Sequence, residues 1–242
     1  MAGPEIVVAD VWHRYPGQNG YSLRGASIRL QPGSITGITG PNGSGKTTLL
    51  LLAALLEKPL QGNMLINGKN PWRTGEAPRL RGAIAYHPPH PIILRGSVER
   101  NIMLGPRLRR LPQPKERALQ AARELGIESL LAKNARGLSR GQQMLVSIAR
   151  LLAAGPRALL LDEPTSSLDP SARERLAIAL RRLVHEEGAT VVVVSHDLLF
   201  LRGSADRLAY MDGGRIIAEG DPEKVVGDLL SRGKRVGGPA PH

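Results

Sequence analysis

The chain has 242 residues, no cysteine and a formal net charge of +12. Its length allows one large α/β domain or two small ones. The lack of cysteine excludes a disulfide framework and thiolate metal sites, and it fits a cytosolic compartment. The longest wholly apolar run, Leu49 to Leu56, is far shorter than the roughly 20 residues that span a bilayer. We find no signal-peptide pattern and expect a soluble protein.

Most of the basic residues are arginines, and such a charge can serve nucleic-acid binding or attraction to an anionic membrane face. The arginines are spread along the chain, with the densest cluster at Arg107 to Arg110. Only one Phe and four Tyr are present for stacking on bases. We therefore expect a solvated surface in preference to a nucleic-acid partner.

The first forty residues have the pattern of short strands separated by turns. Residues 5–11 are apolar and β-branched, residues 14–20 have turn composition, and residues 26–33 alternate between apolar and polar. Later strands are predicted over 34–40, 63–68, 82–86, 158–162 and 190–195, with helices over 46–57, 141–154 and after Pro170, and a hairpin around 211–216.

Helical periodicity without strand signals runs from Arg95 to about Arg136. Strands that alternate with helices elsewhere predict a largely parallel sheet with helices on its faces, so this block is predicted to be a helical insertion. The end of the chain, residues 231–242, is rich in Gly and Pro and is predicted to be an irregular tail.

The strongest chemical signal is GPNGSGKTT, which fits G-x-x-x-x-G-K-[ST] between a predicted strand and a predicted helix. Glycines let backbone N–H groups point at phosphate oxygens, and the helix N-terminus adds its positive dipole end. Lys46 is predicted to reach the β- and γ-phosphates, and Thr47 to ligate Mg²⁺. The predicted nucleotide-binding residues are Gly40, Pro41, Asn42, Gly43, Ser44, Gly45, Lys46, Thr47 and Thr48.

Two carboxylates, Asp162 and Glu163, end the predicted strand 158–162, where an α/β sheet presents its reactive groups. Asp162 can hold Mg²⁺ through a water, and Glu163 is suited to orient or deprotonate an attacking water. Acids are also common at helix N-termini. The pair therefore gains its significance from the phosphate loop.

His196 follows the predicted strand 190–195. A lone histidine is more often a structural hydrogen-bonding group than a catalyst. Its place at a strand end, like that of Glu163, favours a functional role here.

The segment GLSRGQQM, Gly137 to Met144, precedes a further predicted helix, with Ser139 as the N-cap. Glycine, serine and amides before a helix also form an anion-binding end. One nucleotide site already has its phosphate-binding terminus in the glycine-rich loop. The second terminus therefore indicates a nucleotide held by another copy of the chain.

The ordered set GPNGSGKTT, LSRGQ, LLLDEPTSSLD and VVVVSHD resembles the nucleotide-binding domain of ATP-binding cassette (ABC) proteins, over residues 5–230. The resemblance implies an α/β fold with a phosphate-binding-loop NTPase core, an N-terminal antiparallel β subdomain and an α-helical subdomain inserted over about 95–155. Residues 1–230 would form this single domain. It also implies a head-to-tail homodimer or heterodimer that sandwiches two ATP molecules, with Mg²⁺, between the phosphate loop of one chain and LSRGQ of the other.

The resemblance also implies roles for matching residues. Tyr15 matches the aromatic residue that stacks on adenine, and Asp169 the loop that crosses the dimer. Glu163 matches the catalytic base, and His196 the switch that contacts the γ-phosphate, with Lys46 as the phosphate-loop lysine. The signature that contacts the opposite γ-phosphate matches Ser139, Arg140, Gly141 and Gln142, where Arg140 replaces a usual glycine.

The family pattern breaks in IAYHPPHP, Ile84 to Pro91. Pro89 stands where a glutamine normally ligates Mg²⁺, contacts the attacking water and hinges the helical subdomain. Proline has no side-chain oxygen and a fixed φ, so it supplies neither the ligand nor the same hinge. One hypothesis is that His87, His90 or water fills the missing contact, and the others are a stiff turn or, less favoured, a histidine metal site.

The resemblance implies ATP hydrolysis coupled to transport, by a cytoplasmic subunit that is peripheral on the inner face of the cell membrane and docks on a separate permease. The short chain favours an importer, with an extracellular substrate-binding protein as a further partner. Residues 96–110 are similar to importers of oxyanions such as tungstate, molybdate or phosphate. The alternative is a soluble ABC-type ATPase that acts on nucleic acid, the ribosome or cofactor assembly.

Overall fold

The computed structural model describes residues 2–235, which form two β-sheets and eight α-helices. A three-stranded antiparallel sheet has the order β2-β1-β4, and a six-stranded sheet has the order β5-β6-β7-β3-β8-β9. The strands are β1 (Ile6–His13), β2 (Leu23–Leu30), β3 (Ser34–Thr39), β4 (Gln61–Ile66), β5 (Ile84–His87), β6 (Ala158–Asp162), β7 (Thr190–Val194), β8 (Arg207–Asp212) and β9 (Arg215–Gly220).

Within the larger sheet, the strands from β5 to β8 pair in parallel, and β9 pairs antiparallel to β8 at one edge. The helices are α1 (Lys46–Ala53), α2 (Ala77–Arg81), α3 (Val98–Leu108), α4 (Pro114–Glu124), α5 (Arg140–Ala153), α6 (Pro170–Glu187), α7 (Leu198–Ser204) and α8 (Pro222–Arg235). The predicted α/β class, with an antiparallel N-terminal sheet and an inserted helical block, is confirmed.

The central strands β6 and β7 divide the core into two layers. Both strands are fully buried, which explains their almost wholly apolar sequences. Because successive side chains point to opposite faces, Leu161 and Val193 pack against the inserted helices and α6, whereas Leu160 and Val192 pack against α1 and the antiparallel sheet.

The register of β3, β6 and β7 brings their carboxyl ends to one level. Val194 is opposite both Ile38 of β3 and Asp162 of β6. The chain segments that follow these three strands therefore leave the same edge of the sheet side by side. This edge is the place where an α/β sheet binds its ligands.

The inserted block between β5 and β6 contains α3, α4 and α5, with short 3-10 turns at Glu128–Leu130 and Ala135–Gly137. A network of polar contacts joins residues 92–97, which lead into the block, to α3 and α5. The buried Asn101 accepts hydrogen bonds from Leu94 N (2.9 Å) and Arg150 Nη2 (2.7 Å), and donates to the carbonyls of Leu94 and Ser97, both at 3.0 Å. Arg150 Nη1 also donates to Ile92 O at 2.9 Å.

Several predicted element boundaries were wrong. The first helix ends at Ala53 and not at residue 57, because Leu55 adopts a positive φ of 60°. The strands predicted at 63–68 and 82–86 lie at 61–66 and 84–87. Helix α8 includes residues 231–235 of the predicted irregular tail, since one glycine, Gly233, costs a helix only about 1 kcal/mol. Residues 236–242 lie outside the described part of the chain.

The helices over residues 2–235 include no segment that combines the length and the apolar character needed to cross a bilayer.

The Asn101 network predicts a large stability loss on truncation. Asn101→Ala removes the partner of several buried polar groups, and leaving them unsatisfied should lower the free energy of unfolding by about 2–3 kcal/mol. Urea denaturation followed by circular dichroism measures this. The matched control is Asn63→Ala on the exposed part of β4, and an equal loss in both variants would contradict the role of the network.

Candidate active site

The loop between β3 and α1 is held so close to neighbouring backbone that two of its positions require glycine. A Cβ on Gly40, which has a φ of 150°, would lie 1.9 Å from Met211 O. A Cβ on Gly45, at a φ of 101°, would lie 2.4 Å from Ser22 O. Since both contacts are with backbone, a side chain at either position would displace the loop.

The N-terminus of α1 is built to receive an anion. Its N-cap is Gly45, and within the described chain this cap makes no side-chain hydrogen bond and the first turn carries no acidic residue. The first backbone N–H groups of α1 thus keep their capacity to donate, and the dipole end is not neutralised. A phosphate group fits this arrangement.

Lys46 folds back onto the loop, where Nζ donates to Gly40 O (2.9 Å) and Pro41 O (2.8 Å). Burial lowers the pKa of Lys46, and the nearby carboxylates of Glu163 and Asp162 oppose that shift. The side chain is therefore a buried cation placed between the glycine-rich loop and two acids. It can exchange carbonyl partners for phosphate oxygens without leaving the loop.

Thr47 and Asp162 form a pair of hard oxygen donors. The Thr47 hydroxyl donates to Asp162 Oδ2 at 2.6 Å, and Asp162 is buried at the end of β6. Burial raises the pKa of Asp162, while the Thr47 hydrogen bond and the charge of Lys46 lower it. A hydroxyl and a carboxylate suit Mg²⁺, which needs few protein ligands because it keeps waters and substrate phosphates in its shell. Thr47 and Asp162 would hold the ion.

Glu163 and His196 lie together at the adjacent strand ends. His196 Nε2 is 3.3 Å from Glu163 Oε1, at ion-pair distance without an aligned hydrogen bond, and His196 N donates to Glu163 Oε2 at 3.4 Å. Glu163 has a positive φ of 49°, and its N–H donates to Val194 O at 2.9 Å. Burial raises the pKa of Glu163, and the charge of His196 opposes this.

These groups line one cleft of about 730 Å³, a volume in the range of small-molecule sites. The fold brings most of the predicted site residues together in the wall of this cleft. They are the phosphate-loop residues 42–48, Tyr15, Pro89, Asp162, Glu163 and His196. Sequence reasoning missed four further lining residues: Gln18, Gly20, Tyr21 and Ser22. All four lie in or beside the turn after β1, so their nearness to Tyr15 was the available signal.

Tyr15 is fixed at the wall of the cleft. Its hydroxyl donates to Thr48 Oγ1 at 3.3 Å, and its ring meets that of His13 edge-on, with centroids 5.0 Å apart. These contacts tie the turn after β1 to the first helix of the phosphate loop. Stacking of Tyr15 on a base stays a prediction.

The signature residues lie outside this cleft. Ser139 caps α5: its Oγ accepts from Gln142 N at 3.3 Å, and Gln142 Oε1 accepts from Ser139 N at 3.2 Å. Ser139, Gly141 and Gln142, but not Arg140, line a separate cavity of about 300 Å³ together with Asp169. A Cβ on Gly141 would lie 2.4 Å from Ser167 O. The signature and the loop before α6 are thus packed together, away from the phosphate loop of their own chain.

The proline-rich segment contributes only Pro89, a side chain without polar atoms, to the wall of the cleft. Pro89 lines the cleft, but neither neighbouring histidine does. His87 is buried without a well-aligned hydrogen bond to its ring, and burial lowers its pKa to about 4. The ring nitrogen Nδ1 of His90 lies 2.7 Å from Arg140 Nη2. The hypothesis that His87 or His90 fills the missing contact is therefore not supported, and the described residues include no cluster of three metal-binding side chains.

Comparison with known proteins decides the family. The model of the family described as ABC transporter matches residues 23–166. The energy-coupling factor transporter ATP-binding protein EcfA of Methanosarcina acetivorans is 35% identical over 234 residues, which cover 94% of this chain and 83% of the relative. The chain belongs to the ABC transporter family.

Two further proteins extend the comparison. The sulfate/thiosulfate import ATP-binding protein CysA of Mycobacterium tuberculosis is 35% identical over 222 residues, covering 91% of this chain and 62% of the relative. A dimeric ATP-binding cassette, MJ0796, in a post-hydrolysis state with ADP and Pi has a TM-score of 0.80 and 28% identity, and the match covers 90% of this chain and 98% of that one.

Members of the ABC transporter family hydrolyse ATP and couple hydrolysis to transport, so this chain is an ABC ATPase. Its cleft has the groups that the reaction needs. The loop N–H groups and Lys46 can bind the phosphates, and Glu163 in its ionised form can accept a proton from the attacking water, next to His196. Bound Mg²⁺ would neutralise charge on the phosphates.

Glu163 generates the first prediction for catalysis. Glu163→Gln keeps the shape but removes the base, so kcat should fall by about 10²–10⁴-fold while ATP still binds. In the parent, burial raises the pKa of Glu163 above the ordinary value of about 4.3 for a glutamate. Glu163 therefore becomes protonated, and ceases to act as a base, as the pH falls through this raised pKa. Steady-state ATPase over a pH series, with exposed Glu174→Gln on α6 as control, checks both. An acid limb at or below pH 4.3 would contradict the assignment.

Pro89 generates a second prediction. Pro89→Gln restores a side-chain oxygen at the cleft wall, where it can ligate the metal or orient water, and Mg²⁺-dependent kcat should rise at least about threefold. Pro91→Gln, two residues further along the same segment and outside the cleft lining, is the matched control. No difference between the two variants would show that this position does not limit hydrolysis.

Proposed function

We propose that the chain is the ATP-hydrolysing subunit of an importer and acts on a separate membrane permease. The observation that carries the proposal is the convergence of the phosphate loop, Asp162, Glu163 and His196 on one cleft, in a chain whose described helices include none able to cross a membrane. Two of the relatives are ATP-binding proteins of transporters, one of them named as an import protein.

We infer that two nucleotide-binding subunits, identical or different, assemble head to tail around ATP and Mg²⁺. The signature cavity near Ser139 and Asp169 lies apart from the phosphate loop, so within one chain it has no phosphate to bind. A second subunit would bring a nucleotide to it. The dimeric structure of the MJ0796 cassette supports this arrangement.

The proposed cargo is a small molecule, and an oxyanion is the first candidate. An oxyanion such as tungstate, molybdate or phosphate is the prediction from residues 96–110, and the CysA relative is named for sulfate/thiosulfate import. EcfA is equally similar at 35% identity and belongs to an energy-coupling factor transporter. A direct measurement of uptake therefore decides the cargo. An importer of this kind would also use an extracellular substrate-binding protein.

The alternative, a soluble ABC-type ATPase acting on nucleic acid, the ribosome or cofactor assembly, has its support in the positive charge. Many arginines have structural partners instead. Arg109 donates to the carbonyls of Ala154 and Gly155 beyond α5, Arg81 to Leu55 O, and Arg215 to Arg24 O. These side chains satisfy backbone carbonyls within the fold, so part of the charge has a function in folding. We therefore favour a location on the inner face of the cell membrane, beside the permease.

The proposed function predicts loss of uptake when hydrolysis is blocked. In cells that encode the chain, deletion of its gene should abolish uptake of one labelled oxyanion, and the parent but not Glu163→Gln should restore it. Membrane fractionation should place the chain with a multi-span protein. Unchanged uptake of sulfate, molybdate, tungstate and phosphate would remove the oxyanion prediction, and recovery of the chain only with nucleic acid would remove the transport proposal.

A further inference from the structure

One arginine joins the two loops that flank the catalytic pair. Arg173 lies in the first turn of α6, and its Nε donates to Leu168 O at 3.1 Å. Its Nη1 lies 2.8 Å from Asp197 Oδ2, and the two side chains are 39% and 18% exposed. The N–H does not point along that line, so the contact is an ion pair without an aligned hydrogen bond.

Asp197 takes part in a hydrogen-bond network that includes the residues on both sides of His196. Its N–H donates to Ser195 Oγ at 3.0 Å, and its Oδ1 accepts from Phe200 N at 3.0 Å, which caps α7. Ser195 Oγ in turn lies 2.9 Å from Thr165 Oγ1, and both residues are buried. The two residues adjacent to His196 are therefore fixed to the segment that follows Glu163.

His196 itself is a half-exposed side chain, with 48% of its surface accessible. Its described contacts run to Glu163. Because a half-exposed imidazole receives little support from packing, the backbone on either side must set its position. The Arg173–Asp197 ion pair is one of the contacts that hold this backbone.

The Nε atom of Arg173 contacts the loop before α6. Leu168 O receives the Nε hydrogen bond, while Asp169 accepts from Ala172 N at 2.8 Å and caps the helix. The same loop contacts the signature, since Ser167 O lies against Gly141. In the proposed dimer this loop faces the partner subunit.

We propose that Arg173 is a positioning residue that links the partner-facing loop at Leu168 to the backbone that carries His196. The inference rests on the proposed dimer for its partner-facing half. A guanidinium suits the task because Nε can donate to Leu168 O while the charge at Nη1 lies beside Asp197, and the single ammonium of lysine has no second nitrogen for this. Arrival of the partner at residues 166–169 is thereby transmitted to the Glu163–His196 pair.

The inference is tested by ATPase kinetics of Arg173→Met. Loss of both contacts should lower kcat by about 10- to 100-fold, the scale of a small misplacement of a catalytic group, and leave KM for ATP within about threefold. Arg173→Lys keeps the charge and should recover part of the loss. The matched control is Arg181→Met, because Arg181 also joins α6 to α7, through Gly203 O, and has no recorded contact with the described residues 195–197. If the control lowers kcat as much, the inference is overturned.

Two further measurements separate this inference from the dimer proposal. ATP-dependent dimerisation is followed by light scattering in the Glu163→Gln background, with and without Arg173→Met. If the Glu163→Gln chain dimerises equally with and without Arg173→Met, and Arg173→Met alone lowers kcat, Arg173 is a positioning residue. If adding Arg173→Met abolishes the dimer, the inference is overturned, because Arg173 then supports assembly. A monomeric Glu163→Gln chain contradicts the proposed dimer, and the kcat comparison still decides whether Arg173 supports His196.

Folding of the variants is checked by thermal unfolding. If Arg173→Met does not fold, Asp197→Asn provides the second test, since asparagine still caps α7 and removes only the charge. It should lower kcat in the same range with KM unchanged. A normal kcat in a folded Asp197→Asn chain would overturn the proposal.

Discussion

The whole site depends on one constraint, which is the register that aligns the carboxyl ends of β3, β6 and β7. Opposite Val194 stand Ile38 on one side and Asp162 on the other, so the phosphate loop, the two acids and His196 emerge from the sheet together. Strands β6 and β7 are held between the two layers of the core, since Leu161 and Val193 pack into one layer and Leu160 and Val192 into the other. Packing thereby places the chemistry.

Arginine has a second role in this protein, as the residue that joins irregular segments to helices. Arg109 donates to two carbonyls after α5, and Arg150 donates to Ile92 O before α3 and to Asn101 on α3. Arg173 donates to Leu168 O and forms an ion pair with Asp197 in the segment after β7. Segments without regular hydrogen bonds leave carbonyls unsatisfied, and a long side chain with several donors can reach them. The high positive charge is in part the result of this use.

Sequence patterns predicted the parts of the site that are local in the chain. The phosphate loop, the acids after β6 and the N-cap Ser139 of α5 each depend on neighbouring residues, so the local sequence located them. Contacts between distant segments had no such signal: the His90–Arg140 contact joins residues 50 positions apart. The short helices α2 and α7 were also missed, because one or two turns give too little periodicity.

The prolines at the junctions of the inserted block have a mechanical consequence. The Asn101–Arg150 network binds residues 92–97 to the block, and Arg109 binds the end of α5 to it, so neither segment is free to bend. Two short connections, residues 88–91 and 155–157, join the core to the block. Pro88, Pro89 and Pro91 restrict the first, and Pro156 the second. Both connections between the core and the helical block therefore contain residues with a fixed φ, which limits the backbone torsions that could change the orientation of the block.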